Sequence, residues 1–121
     1  MQNKKTLIIG ASPKPERYSY KAHRMLQSHG HDTVLVGSRP GELDGKTIQT
    51  GEPKLDDIHT VTLYVNPQIQ EKYYPYILNL KPQRVIFNPG TENDAFYHQC
   101  NQAGIEAIEA CTLVLLSTNQ F

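Results

Sequence analysis

Short apolar runs recur along the chain, and segments whose apolar residues follow helical spacing separate them. The runs span residues 6–10, 33–36, 61–65, 84–87 and 105–108. A continuous apolar run of this length is typical of a strand that is buried on both faces of a parallel sheet. The pattern therefore predicts five strands.

The segment after the first strand predicts a helix with one apolar face. Its apolar positions are Tyr18, Ala22, Met25 and Leu26, at the spacing of successive helical turns. Gly30 follows, and glycine commonly ends a helix because it adopts the left-handed conformation without strain.

Two further helices are predicted from their starting residues. Asn66 and Pro67 favour a helix start, because asparagine caps well and proline suits the first helical position. This helix runs toward Leu80, and Pro75 should kink or split it. Thr91 predicts the cap of the next helix, which reaches about residue 103 and stops at the following glycine.

Strands and helices thus alternate, with residues 111–117 as a closing helical turn or two. Residues 40–52 predict an irregular connection, and residues 55–58 a single helical turn. Alternation of this kind implies βαβ units with right-handed crossovers. We interpret residues 1–121 as one α/β domain, a Rossmann-like doubly wound fold with a mainly parallel five-stranded sheet.

Composition narrows the class of protein. The apolar fraction is 38 % and the charged fraction 20 %, values that suit a soluble domain with a core. No apolar run approaches the roughly 20 residues that span a bilayer, and the N-terminus lacks the features of a signal peptide. We expect a cytoplasmic protein without a membrane or nucleic-acid partner, in which Cys100 and Cys111 are thiols.

The charge of the chain is unevenly distributed. The net charge is +0, yet basic residues predominate in the first third, where the acids are Glu16 and Asp32. This distribution suits an anionic ligand held by the first third, although a solvated surface with uneven charge explains it equally well.

The sequence shows no arrangement typical of catalysis or of metal binding. Ser12 has no histidine or acid at a spacing that suggests a triad, and the 5 histidines lack the spacing of metal ligands. We therefore expect a binding protein and not an enzyme.

In an open parallel sheet, ligands bind beyond the carboxyl ends of the strands, where the strand order reverses. The first such segment begins with Gly10, Ala11 and Ser12, in the place of the glycine-rich loop of dinucleotide folds. Only the first glycine of that motif is present. Small residues still let a pyrophosphate approach the backbone and the first amides of the next helix. A purely structural turn is the alternative.

The second such segment contains Ser38 and Arg39, where NAD-binding proteins usually carry an acid. Arginine binds phosphate with two parallel hydrogen bonds. The candidates are the 2′-phosphate of NADP and the 3′-phosphate of coenzyme A, and a solvated loop charge is the alternative.

Several motifs occur together in one order. They are Ile9-Gly10-Ala11-Ser12 with Pro13, Arg17-Tyr18-Ser19, the glycines at 41 and 45, Asn88-Pro89-Gly90, Ala103-Gly104-Ile105 and Cys111. In this order and spacing the chain resembles the small CoA-binding proteins that look like the N-terminal domain of the succinyl-CoA synthetase alpha subunit. The resemblance covers nearly the whole chain.

The resemblance implies coenzyme A as the cofactor and suggests how its parts are held. The phosphates would meet the loop after the first strand, at Gly10, Ala11, Ser12 and Pro13. Lys14, Arg17 and Tyr18, which follow this loop, are further candidates for binding the cofactor. The adenosine end would meet Ser38 and Arg39. The pantetheine arm would follow Asn66, Pro67, Pro89 and Gly90.

Three interpretations of function follow. The first is a non-catalytic module that binds CoA or acyl-CoA, since the synthetases carry their phosphohistidine in a second domain. The second is an NADP-dependent oxidoreductase or a subunit of one. The third is a protein-interaction subunit that has lost its ligand. A protein partner or a homodimer is left open.

Overall fold

The computed structural model of the chain describes residues 3–121. Within them, strands β1 to β7 span Thr6–Ile9, Thr33–Val36, Gly41–Leu43, Lys46–Gln49, Thr60–Leu63, Arg84–Phe87 and Glu106–Glu109. Helices α1 to α5 span Tyr18–Ser28, Pro67–Gln70, Tyr74–Leu80, Asp94–Gln102 and Thr112–Ser117. A 3-10 turn at Glu71–Tyr73 joins α2 to α3.

The strands form one 7-stranded sheet in the order β3-β4-β2-β1-β5-β6-β7. Every neighbouring pair is parallel except β3 with β4. The chain winds outward from β1 through β2 to β4, and then returns to the other side of β1 with β5. The strand order therefore reverses between β1 and β5, and a ligand crevice is expected at their carboxyl ends.

Helices cover both faces of this sheet. Ile77 of α3 and Phe96 of α4 pack in the apolar cluster on one face. Leu26 of α1 and Leu116 of α5 pack in the cluster on the other. The strands β1, β5 and β6 are buried at every position because they lie between these two layers. The predicted doubly wound α/β fold is confirmed.

The predicted number of strands is wrong. Residues 40–52 are not an irregular connection but contain a β-hairpin, in which β3 and β4 pair antiparallel. Asp44 and Gly45 form its two-residue turn, both with positive φ, at 51° and 79°. Positive φ at both central residues is the backbone of a tight hairpin turn, which Asp-Gly favours. The sheet therefore has 7 strands and not five.

Two predictions of local helix structure are also wrong. Residues 55–58 form no helical turn. Thr91 is not a helix cap, since α4 begins at Asp94 and the Oδ1 atom of its cap Asn93 accepts a hydrogen bond from the amide of Phe96. The Thr91 hydroxyl instead donates to the carbonyl of Asn88 at 2.8 Å. The split at Pro75 is confirmed, because α2 and α3 are separate helices.

Both cysteines are free, as predicted from the sequence. Cys100, on α4, is buried in the same apolar cluster as Phe96, and burial raises the pKa of its thiol to about 11. In the described part of the chain, no helix is both long and apolar enough to cross a membrane.

Candidate functional site

A cleft of about 850 Å³ lies at the carboxyl edge of the sheet, where the strand order reverses. The loops after β1, β2, β5 and β6 form its walls. The structure brings together in this cleft all but one of the site residues predicted from the sequence: Gly10, Ala11, Ser12, Pro13, Lys14, Arg17, Tyr18, Ser38, Arg39, Asn66, Pro89 and Gly90. Four segments far apart in the chain thus meet at one place.

Pro67 is the predicted site residue that does not line the cleft. It occupies the first position of α2, directly after Asn66, whose Oδ1 atom accepts a hydrogen bond from the amide of Ile69 at 2.9 Å. Proline suits this position because its fixed φ is helical. It lacks an amide hydrogen, but an amide hydrogen at the first helical position would have no partner within the helix. Pro67 thus determines where α2 begins, and it does so without facing the cleft.

The first two amides of the loop after β1 bind the protein's own backbone and are not available to a phosphate. The amides of Gly10 and Ala11 both donate to the carbonyl of Val36, at 2.9 and 3.0 Å, and so hold the loop against β2. The first turn of α1 is different, because its N-cap residue Arg17 makes no side-chain capping hydrogen bond. The amide of Tyr20 already donates to the carbonyl of Arg17 at 3.1 Å, whereas the amides of Tyr18 and Ser19 have no backbone partner among the described residues. These two amides, at the start of α1 beside the cleft, are therefore where donors remain for an anion.

Close backbone packing brings the loops together at the reversal point. Gly10 has a φ of +98°, and a Cβ atom there would lie 2.8 Å from the carbonyl oxygen of Tyr64. A Cβ atom on Gly37 would lie 2.6 Å from the carbonyl oxygen of Ala11. Real Cβ atoms do not approach backbone atoms so closely, so both positions require glycine. Gly37 directly follows the second predicted strand, so it lies at a strand end where the sequence predicts ligand binding.

The charged side chains that line the cleft all have the same sign. They are Lys14, Arg17, Arg39 and Lys72, and the lining formed by residues 3–121 contains no aspartate or glutamate. A concave surface lined by one sign of charge concentrates ligands of the opposite sign. The cleft therefore suits a ligand that carries several negative charges.

A smaller recess of about 170 Å³ continues from the cleft. Ser38, Lys72 and Tyr73 line both spaces, and residues 50–52, just after β4, close the recess. The recess exists because β4 lies beside β2, which brings its loop to the end of the cleft near Arg39.

Two large apolar side chains that line the cleft are exposed to solvent. Tyr18, at the start of α1, is 66 % exposed, and Ile69, on α2, is 41 % exposed. Exposed apolar side chains in a crevice favour a ligand with apolar parts. Tyr64 also lines the cleft, and burial raises the pKa of its phenol to about 12, so that it stays protonated at neutral pH.

Sequence reasoning missed several residues of the lining, namely Ser19, Pro40, Tyr64, Val65, Ile69, Lys72, Tyr73 and Thr91. The apolar run predicts a strand that includes Tyr64 and Val65, but β5 ends at Leu63 and both residues belong to the loop. For three of the other residues the sequence contains a weaker signal. A helix that begins at Pro67 places Ile69, Lys72 and Tyr73 at spacings of three and four residues, which share one helical face.

The fold and the cleft together define an α/β domain of the Rossmann type, a class in which ligands bind where the strand order reverses. Comparison with known families narrows this class. A family described as CoA binding domain matches residues 4–117, and the chain belongs to this family. The family resemblance read from the sequence is thereby confirmed. No curated protein is similar enough to the chain to count as a match.

Solved structures show the same architecture. One, described as an uncharacterized protein, is 51 % identical, with a TM-score of 0.97 and coverage of 100 % of each chain. A hypothetical protein from Pyrococcus horikoshii is 26 % identical, with a TM-score of 0.87, covering 97 % of this chain and 84 % of that one. A protein from Thermus thermophilus is 21 % identical, with a TM-score of 0.80, covering 98 % and 91 %. The last of these shows similarity of fold alone.

Proposed function

We propose that this chain binds coenzyme A or an acyl-CoA in the cleft and performs no reaction on it. The observation that carries the proposal is the set of four cationic side chains, without an acid, in a cleft at the reversal point of a CoA-binding fold. Coenzyme A carries a pyrophosphate and a 3′-phosphate, and these phosphates match a cleft whose charged side chains are all cationic.

The parts of the ligand can be assigned to parts of the cleft. The pyrophosphate lies at the start of α1, near Ser12 and Arg17, where amides and a positive helix end favour it. The 3′-phosphate lies near Arg39 at the end of β2, with Lys72 on the facing wall. The pantetheine arm then crosses the ends of β5 and β6, along Asn66 and Gly90.

The proposal of a non-catalytic role rests on the side chains of the lining. Among the described residues, the lining contains no histidine, cysteine, aspartate or glutamate, the usual groups for proton transfer or nucleophilic attack at neutral pH. The raised pKa of Tyr64 keeps its phenol protonated at neutral pH, so almost no phenolate is present to act as a base. A protein of this kind delivers or senses CoA or acyl-CoA.

A thermal-shift comparison of coenzyme A, dephospho-CoA, NADP and NAD tests the proposal. A ligand that binds only the folded state stabilises it, by about 2.7 kcal/mol at a hundred times its Kd. We expect coenzyme A to raise the Tm clearly. Dephospho-CoA, which lacks the 3′-phosphate that Arg39 would bind, should raise the Tm less at the same concentration.

The other outcomes select the alternatives. A response to NADP without a response to coenzyme A would favour an oxidoreductase or a subunit of one, because Ser38 and Arg39 also suit a 2′-phosphate. No response to any of the four ligands would contradict the proposal and favour an interaction subunit that has lost its ligand.

A further inference from the structure

The side chain of Gln70, the last residue of α2, is fully buried and fully hydrogen-bonded. Its Nε2 atom donates to the carbonyl of Val65 at 2.9 Å and to the carbonyl of Thr91 at 2.8 Å. Its Oε1 atom accepts from the Nδ2 atom of Asn93 at 3.0 Å. A buried amide is costly unless it is paired in this way.

The two carbonyls that Gln70 binds belong to different walls of the cleft. Val65 lies in the loop after β5, and Thr91 lies in the loop after β6. The ladder between these strands ends at Leu63 and Phe87, and no backbone hydrogen bond among the described residues joins residues 64–67 to residues 88–93. Beyond the strand ends, the Gln70 amide is thus a direct link between the two loops.

The side chain of Asn88 makes a second link, but closer to the sheet. Its Nδ2 atom donates to the carbonyl of Leu63 at 2.8 Å, at the end of β5. Its Oδ1 atom accepts from the amide of Thr112. Asn88 therefore joins the strand ends, whereas Gln70 joins the parts of the loops that line the cleft.

The orientation of the Gln70 amide is determined by its neighbours. Asn93 caps α4, so its Oδ1 atom must face the amide of Phe96 and its Nδ2 atom must face away. That Nδ2 atom donates to the Oε1 atom of Gln70, which leaves the Nε2 atom of Gln70 directed at the two carbonyls. The position of α2 is determined in turn by its cap, Asn66, and by Pro67 at its first position.

We propose that Gln70 is a positioning residue, which sets the spacing between the loops after β5 and β6 and so preforms the pantetheine side of the cleft. The inference rests on the proposed function and adds a residue that does not itself line the cleft. A cleft whose walls are held in place before the ligand arrives avoids the cost of ordering them on binding. A ligand that reaches these loops should therefore depend on Gln70 much more than a ligand held by the first two loops and Lys72.

Two ligands and two variants test this dependence. The ligands are coenzyme A and adenosine 3′-phosphate 5′-diphosphate, which carries the same phosphates without the pantetheine arm. Gln70→Met keeps a similar length but removes both donors, and Gln68→Met, an exposed residue of the same helix, is the control. Titration calorimetry, well below the Tm of each variant, measures both affinities.

We expect Gln70→Met to lower the affinity for coenzyme A about tenfold and the affinity for the nucleotide by less than about twofold. Gln68→Met should leave both affinities unchanged. If Gln70→Met lowers the affinity for both ligands equally, the role of Gln70 is merely structural. If the affinity for coenzyme A does not change, Gln70 has no role in binding. If the original chain binds neither ligand, the proposed function itself is wrong.

Asn93→Asp gives a second variant that retains the helix cap. An aspartate at this position still accepts from Phe96, but it presents an acceptor to Gln70 and so favours a reversed amide. The carbonyl oxygen of Gln70 would then face the two loop carbonyls. We expect Asn93→Asp to lower the affinity for coenzyme A and to leave the affinity for the nucleotide almost unchanged. If Gln70→Met does not fold, the measurement on Asn93→Asp decides the question.

Discussion

At the scale of single residues, the cleft depends on two positions where no side chain fits. A Cβ atom on Gly10 would meet the carbonyl oxygen of Tyr64 at 2.8 Å, and one on Gly37 would meet that of Ala11 at 2.6 Å. Both contacts are with backbone, which cannot move aside as the end of a flexible side chain can. These two glycines therefore let the loops after β1, β2 and β5 approach one another.

The substitution Gly10→Ala tests this steric requirement, with Gly30→Ala as the matched control. Both residues have positive φ, but a Cβ atom on Gly30 meets nothing within 4 Å. Gly30→Ala should cost only the backbone strain, about 1–2 kcal/mol. Gly10→Ala adds a clash, and we expect a total of about 2–4 kcal/mol together with weaker binding of coenzyme A. Urea unfolding and calorimetry measure the two effects, and equal losses of stability in both variants would contradict the argument.

At the scale of elements, the β3–β4 hairpin extends the sheet beyond β2 and supplies the loop that closes the recess beside the cleft. Leu43 and Ile48, one from each strand, are buried in the core with α1 and α5. The turn between them carries a local signal, since Asp-Gly favours a tight hairpin turn. The abundance of glycine and polar residues around this turn concealed the two strands.

Substitutions of Asp44 test how this turn is stabilised. Its φ of 51° lies in the left-handed region, which aspartate and asparagine tolerate better than alanine. Its carboxylate also pairs with Arg24 at 2.8 Å, but the Arg24 side chain is exposed to solvent, so the pair contributes little. We therefore expect Asp44→Ala to lower the free energy of unfolding by about 1 kcal/mol and Asp44→Asn to change it little. Equal losses in Asp44→Asn and Asp44→Ala would show that the ion pair dominates, because both substitutions remove the carboxylate.

At the scale of the whole molecule, three histidines are held neutral by burial. Burial lowers the pKa of His23, of His31 and of His59. For His31 the hydrogen bonding agrees, because its Nδ1 atom accepts from the amide of Lys4 at 2.9 Å and an imidazolium has no acceptor. The folded state therefore binds fewer protons than the unfolded state in mildly acidic solution.

The stability of the chain should consequently fall as the pH falls below about 6.5, the ordinary pKa of histidine. Stability from a lowered pKa is fully present above that value and is lost on acidification. Unfolding by urea at pH 7.5, 6.5 and 5.5 measures the trend. His31→Gln should reduce the pH dependence, whereas His98→Gln, at an exposed position of α4, should not. A free energy of unfolding that stays constant or rises between pH 7.5 and 5.5 would contradict this account.

By itself, the sequence determined the order of most strands and helices, because each apolar run, cap and helix stop carries its signal within a few residues. Asn66 and Pro67 are the clearest case, since their local chemistry alone predicted the start of α2. The motifs around Gly10 and Gly90 likewise indicated the family and the loops of the candidate site.

Only the tertiary structure decided which residues share the cleft. Lys72 faces the same cleft as Arg39, Gly37 packs on Ala11, and Gln70 joins the loops of Val65 and Thr91. Each pair is distant in the chain and meets because of the strand order. Strand order is established by packing between remote segments, and no local pattern of residues encodes it.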